Sequence, residues 1–328
     1  MPRTTLTTLA LLLGLVLSTG TTHGAEIGHY TPGLLNIRDF AMPAPGLYGI
    51  FYNYFYTSDR LNDRNGDEIS SVTLAPLGGP GVTLRVDVDI DVYALAPTFL
   101  WVSPWKLLGA KYGAFIAPSF GNTSVGASLA TETGRGRDAE TSQFALGDLF
   151  VQPLWLGWTL THWDVALGYG FYAPVGKYDT STLTLPRGAT VTAPAADNIG
   201  LGFWTHRVQG AVTWYPCAHK ATAVLTALTY EIHGDKEDFD LTPGQNLTWN
   251  WGISQFLPLR QDHTLLLEVG VAGYSSWQLT DDSGSDPRNT GVHDQVHAVG
   301  GQLGLTYVPW VASLNGRYFG EFAAQDRF

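Results

Sequence analysis

One segment of strictly alternating residues limits the possible folds of this chain more than any other feature. Residues 82–93 read V-T-L-R-V-D-V-D-I-D-V-Y, so apolar side chains alternate with polar or charged ones. On a β-strand successive side chains point to opposite faces, and this strand therefore has one apolar and one charged face. In a soluble sandwich the charged face meets water. In a membrane barrel the apolar face meets lipid and the charged face lines an aqueous lumen.

The composition favours the membrane barrel. Charged residues make up 14% of the chain, against about 25% in ordinary soluble proteins. The chain also contains 38 Gly, 15 Tyr, 15 Phe and 11 Trp, which fits strands whose aromatic side chains form belts at the two membrane interfaces. The formal net charge of −11 at pH 7 argues against a nucleic-acid partner.

The N-terminus has the layout of a cleavable secretory signal. Arg3 is followed by an apolar run at residues 9–17 and then by small and polar residues as far as Ala25. This run is shorter than the roughly 20 apolar residues that cross a bilayer as a helix. We therefore predict a signal peptide at residues 1–25, an irregular segment at 26–46 that lies inward or in the periplasm, and a β-barrel domain at 47–328.

Strand-like stretches recur through the rest of the chain, and we count eleven of them. Bacterial single-chain barrels use an even number of strands. We therefore expect an all-β, transmembrane antiparallel β-barrel of about twelve strands: the count misses one strand, includes one too many, or the chain lacks one. Long polar connections at 131–141, 179–197, 234–244 and 280–295 alternate with tight turns such as 258–263. Long loops on one side and short turns on the other are typical of outer-membrane barrels.

Several short motifs occur in an order that resembles a known family. They are Gly147-Asp148-Leu149 followed by Leu156-Gly157-Trp158, Ala173-Pro174-Val175-Gly176-Lys177-Tyr178, Asn198-Ile199-Gly200-Leu201-Gly202-Phe203-Trp204, Leu228-Thr229-Tyr230-Glu231, and Gly273-Tyr274 leading into Gln278-Leu279-Thr280-Asp281-Asp282. Through these motifs the chain resembles the outer-membrane proteins of the phenol-degradation meta-pathway family (the MetA-pathway family), whose members are commonly called transporters.

The resemblance implies a barrel of about a dozen strands and passage of small aromatic or other hydrophobic molecules, and it supplies no verified binding residues. Family members usually continue with one more strand beyond the stretch that corresponds to residues 320–328. Phe328 has the position of a terminal Phe assembly signal. Because Asp326 and Gly320 break the apolar row that leads to it, we interpret Phe328 as incidental. By comparison with the family, we expect the last strand to be missing from this chain, which also explains the odd count.

The charged face of residues 82–93 supplies the candidate lumen site. Asp87, Asp89 and Asp91 share one strand face with Arg85, at steps of roughly 6.6 Å. One interpretation is a negative ladder that lines an open lumen and favours cations. The other is a packed lumen, in which inward bases such as Arg207 or Arg317 pair with these acids.

Trp204 is the remaining lumen-lining candidate. It stands beside Gly200 and Gly202, and small residues leave room for its ring to face inward. The other tryptophans cluster near strand ends, where an interfacial girdle is the simpler interpretation.

We predict no metal site, no cofactor and no catalytic residue. The Asp row lacks the Gly and Glu that an EF-hand loop requires at its sixth and twelfth positions. His293 and His297 would lie about 13 Å apart on a strand. Barrel hydrolases need a Ser beside a His, and no His of this chain has a Ser two positions away.

These observations together predict a non-enzymatic protein of the outer membrane of a Gram-negative bacterium. We expect a channel for passive uptake of small hydrophobic or aromatic compounds, in contact with membrane lipid and lipopolysaccharide and folded by the barrel-assembly machinery. A structural or surface-interaction barrel with a closed lumen is the main alternative. An outer-membrane hydrolase and a soluble lipocalin-like carrier are weaker ones.

Overall fold

The computed structural model describes residues 27–74, 82–131, 136–184, 190–195, 197–286 and 291–327. Within these ranges the chain is almost entirely β-structure, with one 3-10 turn at Val308–Trp310. None of the helical structure in these ranges is long and apolar enough to span a membrane. The strands are β1 (Gly46–Ser58), β2 (Ser71–Leu74), β3 (Val82–Leu107), β4 (Ala110–Ala117), β5 (Phe120–Thr131), β6 (Gly136–Leu146), β7 (Leu149–Thr159), β8 (Trp163–Ala173), β9 (Thr180–Thr184), β10 (Thr190–Pro194), β11 (Thr205–Trp214), β12 (Thr222–His233), β13 (Asn246–Pro258), β14 (Leu265–Gln278), β15 (Gln295–Tyr307) and β16 (Ala312–Gln325).

Fourteen of these strands form one antiparallel sheet, and β9 and β10 form a separate hairpin. The long strand β3 pairs along one edge with both β4 and β5, and β7 and β6 continue the sheet beyond them. We call each full-length position in the wall a stave, whether it is filled by one strand or by two consecutive strands. The pairs β4/β5 and β6/β7 are two such interrupted staves. With β2 set aside, the described part of the wall has eleven staves, in the order β1, β3, β4/β5, β6/β7, β8 and β11 to β16.

The wall has one buried and one exposed face because its strands alternate in sequence. On β12, Leu225, Ala227 and Thr229 are buried, whereas Leu228 and Ile232 are exposed. The same alternation runs through β11 and β13. The exposed face carries large apolar side chains around much of the wall, among them Phe51, Ile253, Leu303 and Leu314.

Residues 27–45, which we call the strap, form no strand and lie against the buried face. Their hydrogen bonds reach six successive strands, from β11 to β16. The strap partners on these strands, such as Thr205, Glu231 and Glu268, are buried, whereas residues on the opposite face, such as Val208 and Ile232, are exposed. The buried face is therefore the inner face, and the strap occupies the lumen, where Ile37, Phe40 and Met42 pack with Leu100 and Val102 of β3.

The two ends of the wall differ. At the end we call the turn end, short connections join neighbouring strands, as at 108–109, 160–162 and 308–311. At the opposite loop end, the connections are long, as at 174–204 and 279–294. The strap begins near the loop end and reaches β1 at the turn end.

The first and last staves meet without a ladder of backbone hydrogen bonds among the described residues. Both β1 and β16 run from the turn end to the loop end, as their antiparallel pairings require. Near the loop end they touch through the hydroxyl of Tyr56 and the carboxylate of Glu321, 3.4 Å apart. Asn62 N also donates to Arg327 O, at 3.0 Å. The all-β antiparallel prediction is confirmed, and the described wall has eleven staves, as many as the strand-like stretches counted in the sequence. Among the described residues, the barrel is not closed by hydrogen bonds.

Candidate functional site

The structure places the predicted acidic row on the outer face of the wall. Asp87, Asp89 and Asp91 are exposed, together with Arg85. Their apolar neighbours Val88 and Ile90 are only 5% and 8% exposed. Along β3, the acids share the face of Phe99 and Trp101, which are exposed, whereas Val88 and Ile90 share the inner face of Leu100 and Val102. The lumen assignment of these four residues is therefore corrected.

The length of β3 explains this reversal. The strand has 26 residues, whereas roughly 9–11 are enough to cross a bilayer. Directly opposite the three acids, β5 presents Ser128, Gly126 and Ser124, so the outer surface here is polar on both strands. The loop-end half of β3 extends beyond the apolar band, where water can meet an outward charged face.

Trp204 also faces outward, which corrects the second lumen prediction. It is 50% exposed, and its ring lies 6.0 Å from that of Phe171. Trp214, at the other end of β11, is exposed on the same side. Ten residues of strand span about 33 Å, or about 25 Å after a typical tilt of ~40°, which is the height of the apolar band of membrane barrels. The two tryptophans therefore mark the two margins of such a band.

The inward residue of this motif is Phe203, which is 1% exposed. Its ring contacts His29 of the strap and His233 of β12, with centroids 4.9 and 5.2 Å away. Sequence analysis missed Phe203. The signal was available, since Thr205 begins an alternating strand whose odd-numbered residues face inward.

Asp148 joins three of the sequence motifs at one point. Its Oδ1 atom accepts a hydrogen bond from Gly176 N at 2.9 Å, and its Oδ2 atom accepts one from Leu201 N at 2.8 Å. The same Oδ2 atom lies 2.9 Å from Nε2 of His29. A Cβ atom on Gly176 or Gly200 would approach Asp148 to less than 3.0 Å, so both positions need glycine. Asp148 thus draws the loop 174–204 and the strap toward the lumen.

A chain of polar contacts crosses the loop end of the lumen from this junction. His29 Nδ1 lies 2.7 Å from the hydroxyl of Thr205, which lies 2.7 Å from Nδ1 of His233. Nε2 of His233 lies 3.0 Å from Oδ1 of Asn246. Asn246 Nδ2 then donates to Asp294, 3.4 Å away. Most of these groups are buried, so the chain satisfies polar atoms that water cannot reach.

The inner wall holds the strap by its backbone. Tyr30 N donates to Glu231 at 2.9 Å, Gly33 N donates to the Asn250 amide oxygen at 3.0 Å, and Arg317 donates to the carbonyl of Leu34. Gly33 has φ +70°, and a Cβ atom there would meet Phe319 at 2.9 Å. The strap is therefore bound by wall side chains, not as an additional strand.

Arg38 anchors the strap near the turn end. Its Nε atom donates to Oε1 of Glu268 at 2.9 Å, and its two Nη atoms donate to the carbonyls of Lys220 and Ala221 at 2.9 and 2.7 Å. The guanidinium also lies 3.8 Å from the ring centre of Phe256. Burial lowers the pKa of Arg38, and the Glu268 carboxylate opposes this effect.

Arg207 is a buried charged group of the inner wall near the strap. It is 5% exposed, and its Nη2 and Nη1 atoms donate to neutral oxygens, those of Gln152 at 2.8 Å and Tyr172 at 3.3 Å. Glu231 stands directly opposite on β12, but its carboxylate binds the strap. The Nε atom of Arg207 has no hydrogen-bond partner among the described residues.

Within the described ranges, no group of three or more His, Cys, Asp or Glu side chains could hold a metal ion. One Ser–His pair exists that the sequence search for neighbours missed, since Ser275 and His297 face each other across two strands, with Oγ and Nδ1 2.8 Å apart. Ser275 is buried, and the imidazole lies beside the rings of Trp277 and Phe322. We assign the pair to the packing of the wall.

An antiparallel wall with an apolar exterior, aromatic margins and a polar interior defines this chain as a transmembrane β-barrel. The chain belongs to the family described as "Putative MetA-pathway of phenol degradation", whose model matches residues 58–328. This confirms the resemblance that the motifs indicated. Among solved structures, the chain is similar to an outer membrane channel from Pseudomonas putida F1, with 16% identity, a TM-score of 0.54 and coverage of 90% of this chain and 94% of that chain. No curated protein matches the sequence.

Proposed function

We propose that this protein is an outer-membrane channel of a Gram-negative bacterium for passive uptake of small hydrophobic or aromatic compounds. The observation that carries the proposal is the strap. It crosses a polar lumen from end to end and is held by side chains of the wall, so it can be displaced without breaking the sheet. Family membership and the similar fold of an outer membrane channel support the same proposal.

The outer surface supports the proposed location. Exposed tryptophans lie near the turn end, at Trp105, Trp163 and Trp214, and Trp204 lies near the loop end. In outer-membrane barrels the short turns face the periplasm and the long loops face outward. The acidic loop-end half of β3 then stands among lipopolysaccharide headgroups, and we expect the barrel-assembly machinery to insert the chain. We propose no enzymatic activity and no cofactor.

A barrel with a permanently closed lumen is the second candidate. The observation that favours it is the packing of Ile37, Phe40 and Met42, whose side chains are almost fully buried. In that case the strap is a core element and the acidic surface carries the function.

Two measurements on the full chain separate these functions. Planar-bilayer recording of the refolded protein measures ionic conductance, after heat-shifted gel mobility has shown that it is folded. Entry of N-phenyl-1-naphthylamine into intact cells measures passage of a neutral aromatic probe that the lipopolysaccharide leaflet excludes. The channel predicts discrete conductance steps and faster probe entry than in cells with an empty vector. A folded protein that is silent in both measurements would establish the closed barrel.

A strap variant sharpens this comparison. Arg38→Gln weakens the strap's anchor near the turn end. Arg260→Gln is the control, because it makes the same charge change at an exposed turn, where Arg260 forms an ion pair with Asp262. The channel predicts faster probe entry for Arg38→Gln and no change for Arg260→Gln. Equal entry in both variants would show that the strap does not limit passage.

A further inference from the structure

Arg207 is a buried cation, and one of its three nitrogen atoms has no hydrogen-bond partner among the described residues. Its Nη atoms reach Gln152 and Tyr172, both neutral, and its Nε atom has no partner in the described part of the chain. A buried guanidinium is costly unless its donors are satisfied and its charge is compensated. Glu231 lies opposite on β12 and attracts this charge, but one of its carboxylate oxygens accepts a hydrogen bond from the strap backbone at Tyr30 N, so Glu231 does not satisfy the Nε donor. The local arrangement therefore favours an additional anionic acceptor at Nε.

Aromatic rings surround this guanidinium. The ring centre of Phe150 lies 3.9 Å from Cζ of Arg207, that of Tyr30 lies 5.3 Å away and that of Tyr172 lies 5.9 Å away. Phe150 and Tyr172 also contact each other, with centroids 4.4 Å apart. Arginine binds both carboxylates and aromatic faces well. The cluster therefore suits one ligand that has both features.

Tyr30 shows how a ring is accommodated here. It belongs to the strap, not to the wall, and its hydroxyl accepts a hydrogen bond from Asn250 Nδ2 at 3.2 Å. The phenol ring of a displaceable segment thus occupies the space that faces Arg207. A solute ring can take this position when the strap moves, with Phe150 and Tyr172 still in place.

We propose that Arg207, with Phe150 and Tyr172, forms a binding site for small aromatic carboxylates inside the lumen, where the solute replaces the ring of Tyr30. The site rests on the proposed function, since it lies on the route of uptake. It makes aromatic acids the preferred solutes, because the carboxylate bonds to Arg207 and the ring packs on the wall aromatics.

Calorimetry on the refolded full chain tests the site without requiring transport. The ligands are benzoate and cyclohexanecarboxylate, which have the same charge and similar size but differ in aromaticity. We expect benzoate to bind more tightly. Arg207→Gln should weaken benzoate binding at least tenfold, Arg207→Lys should weaken it less because the charge remains, and Arg260→Gln should leave it unchanged. Heat-shifted gel mobility shows that each variant is folded.

The outcomes separate the site from the proposed function. The proposed site is overturned if the wild type does not bind benzoate. It is also overturned if the wild type and the folded Arg207→Gln and Arg207→Lys variants bind benzoate equally. Both results hold even if the protein conducts in planar bilayers. Equal affinity for the two acids overturns the aromatic part of the proposal. Benzoate binding that depends on Arg207 supports the site. If the same preparation shows no conductance, that result contradicts the proposed uptake function and leaves the binding site supported.

Discussion

At the scale of single residues, Asp148 explains why three separated motifs are found together. Its carboxylate connects the strap to two glycine-rich stretches, at Gly176 and Leu201. The sequence indicated these motifs as family features, but it could not show that they meet, since 28 and 53 residues separate Asp148 from these two partners. Their convergence depends on the pairing of β7 with β8 and of β8 with β11.

Replacing Asp148 by Ala should destabilise the loop end of the barrel. The change leaves several buried donors without an acceptor, and each such loss costs about 1–3 kcal/mol. We expect Asp148→Ala to lower the urea concentration at the midpoint of unfolding clearly. Heat-shifted gel mobility measures the folded fraction at each urea concentration. Asp197→Ala is the control, because Asp197 pairs with Lys177 at a more exposed position, where ion pairs contribute about 0–1 kcal/mol. Equal midpoints for the two variants would contradict the role of Asp148.

His29 should make the strap sensitive to acid. Burial lowers the pKa of this imidazole below 6.5, although Asp148 acts in the opposite direction. Lys236 and His233, through Thr205, are the other titratable groups near it. When the strap is released, the pKa of His29 returns to about 6.5. Between the lowered pKa of the bound strap and this value, the released strap therefore binds more protons than the bound strap. The bound strap is therefore fully stable above about pH 6.5 and loses stability as the pH falls below it.

Conductance at about pH 7.5 and about pH 5 measures this effect, and we expect larger or more frequent openings in acid. In His29→Gln the group that titrates is gone, so most of the pH dependence should disappear. An unchanged pH response in that variant would assign the effect to other groups.

At the scale of elements, β3 shows what alternation can and cannot predict. The pattern predicted a strand with one apolar and one charged face, and the strand is present. Which face points inward is not encoded in a period of two, since either face can be buried. The strap covers the inner face of β3 at Leu100 and Val102 with Phe40 and Met42, and an irregular segment has no period from which this position could be predicted.

The outward position of the acidic row changes its expected effect on ion selectivity. Replacing Asp87, Asp89 and Asp91 together by Asn should leave the reversal potential in a salt gradient nearly unchanged, because the side chains do not line the lumen. Glu268→Gln, which removes a single inner charge, should shift it more. A large loss of cation preference in the triple variant would restore the interpretation based on sequence alone.

The strap itself depends on the pair of Arg38 and Glu268. Replacing Arg38 by Met leaves the buried carboxylate of Glu268 unpaired, which costs about 3–5 kcal/mol for a buried pair. Arg38→Met with Glu268→Gln should recover most of that loss. Unfolding midpoints of the two single variants and the double variant measure this coupling, and additive effects would show that the two groups act independently.

At the scale of the whole molecule, the fold class and the motif order were predictable, and the arrangement inside the wall was not. Eleven strand-like stretches correspond to the eleven staves of the described wall, although several boundaries differ, because the interruptions at Pro118 and at Gly147 divide two staves. The meeting of β1 and β16 depends on the curvature of the entire sheet, which no local pattern records.

The position of the strap also orders the events of folding. The strap is close to the start of the chain, yet its partners include Thr205 and Arg317, which lie 176 and 283 residues from His29 and Leu34. Contacts at such separations form slowly, since long loops must close first. A finished wall would have to be threaded by the strap afterwards. The simpler order is that β11 to β16 close around an N-terminal segment that is already in place. The strap then serves as a template on which its own barrel forms.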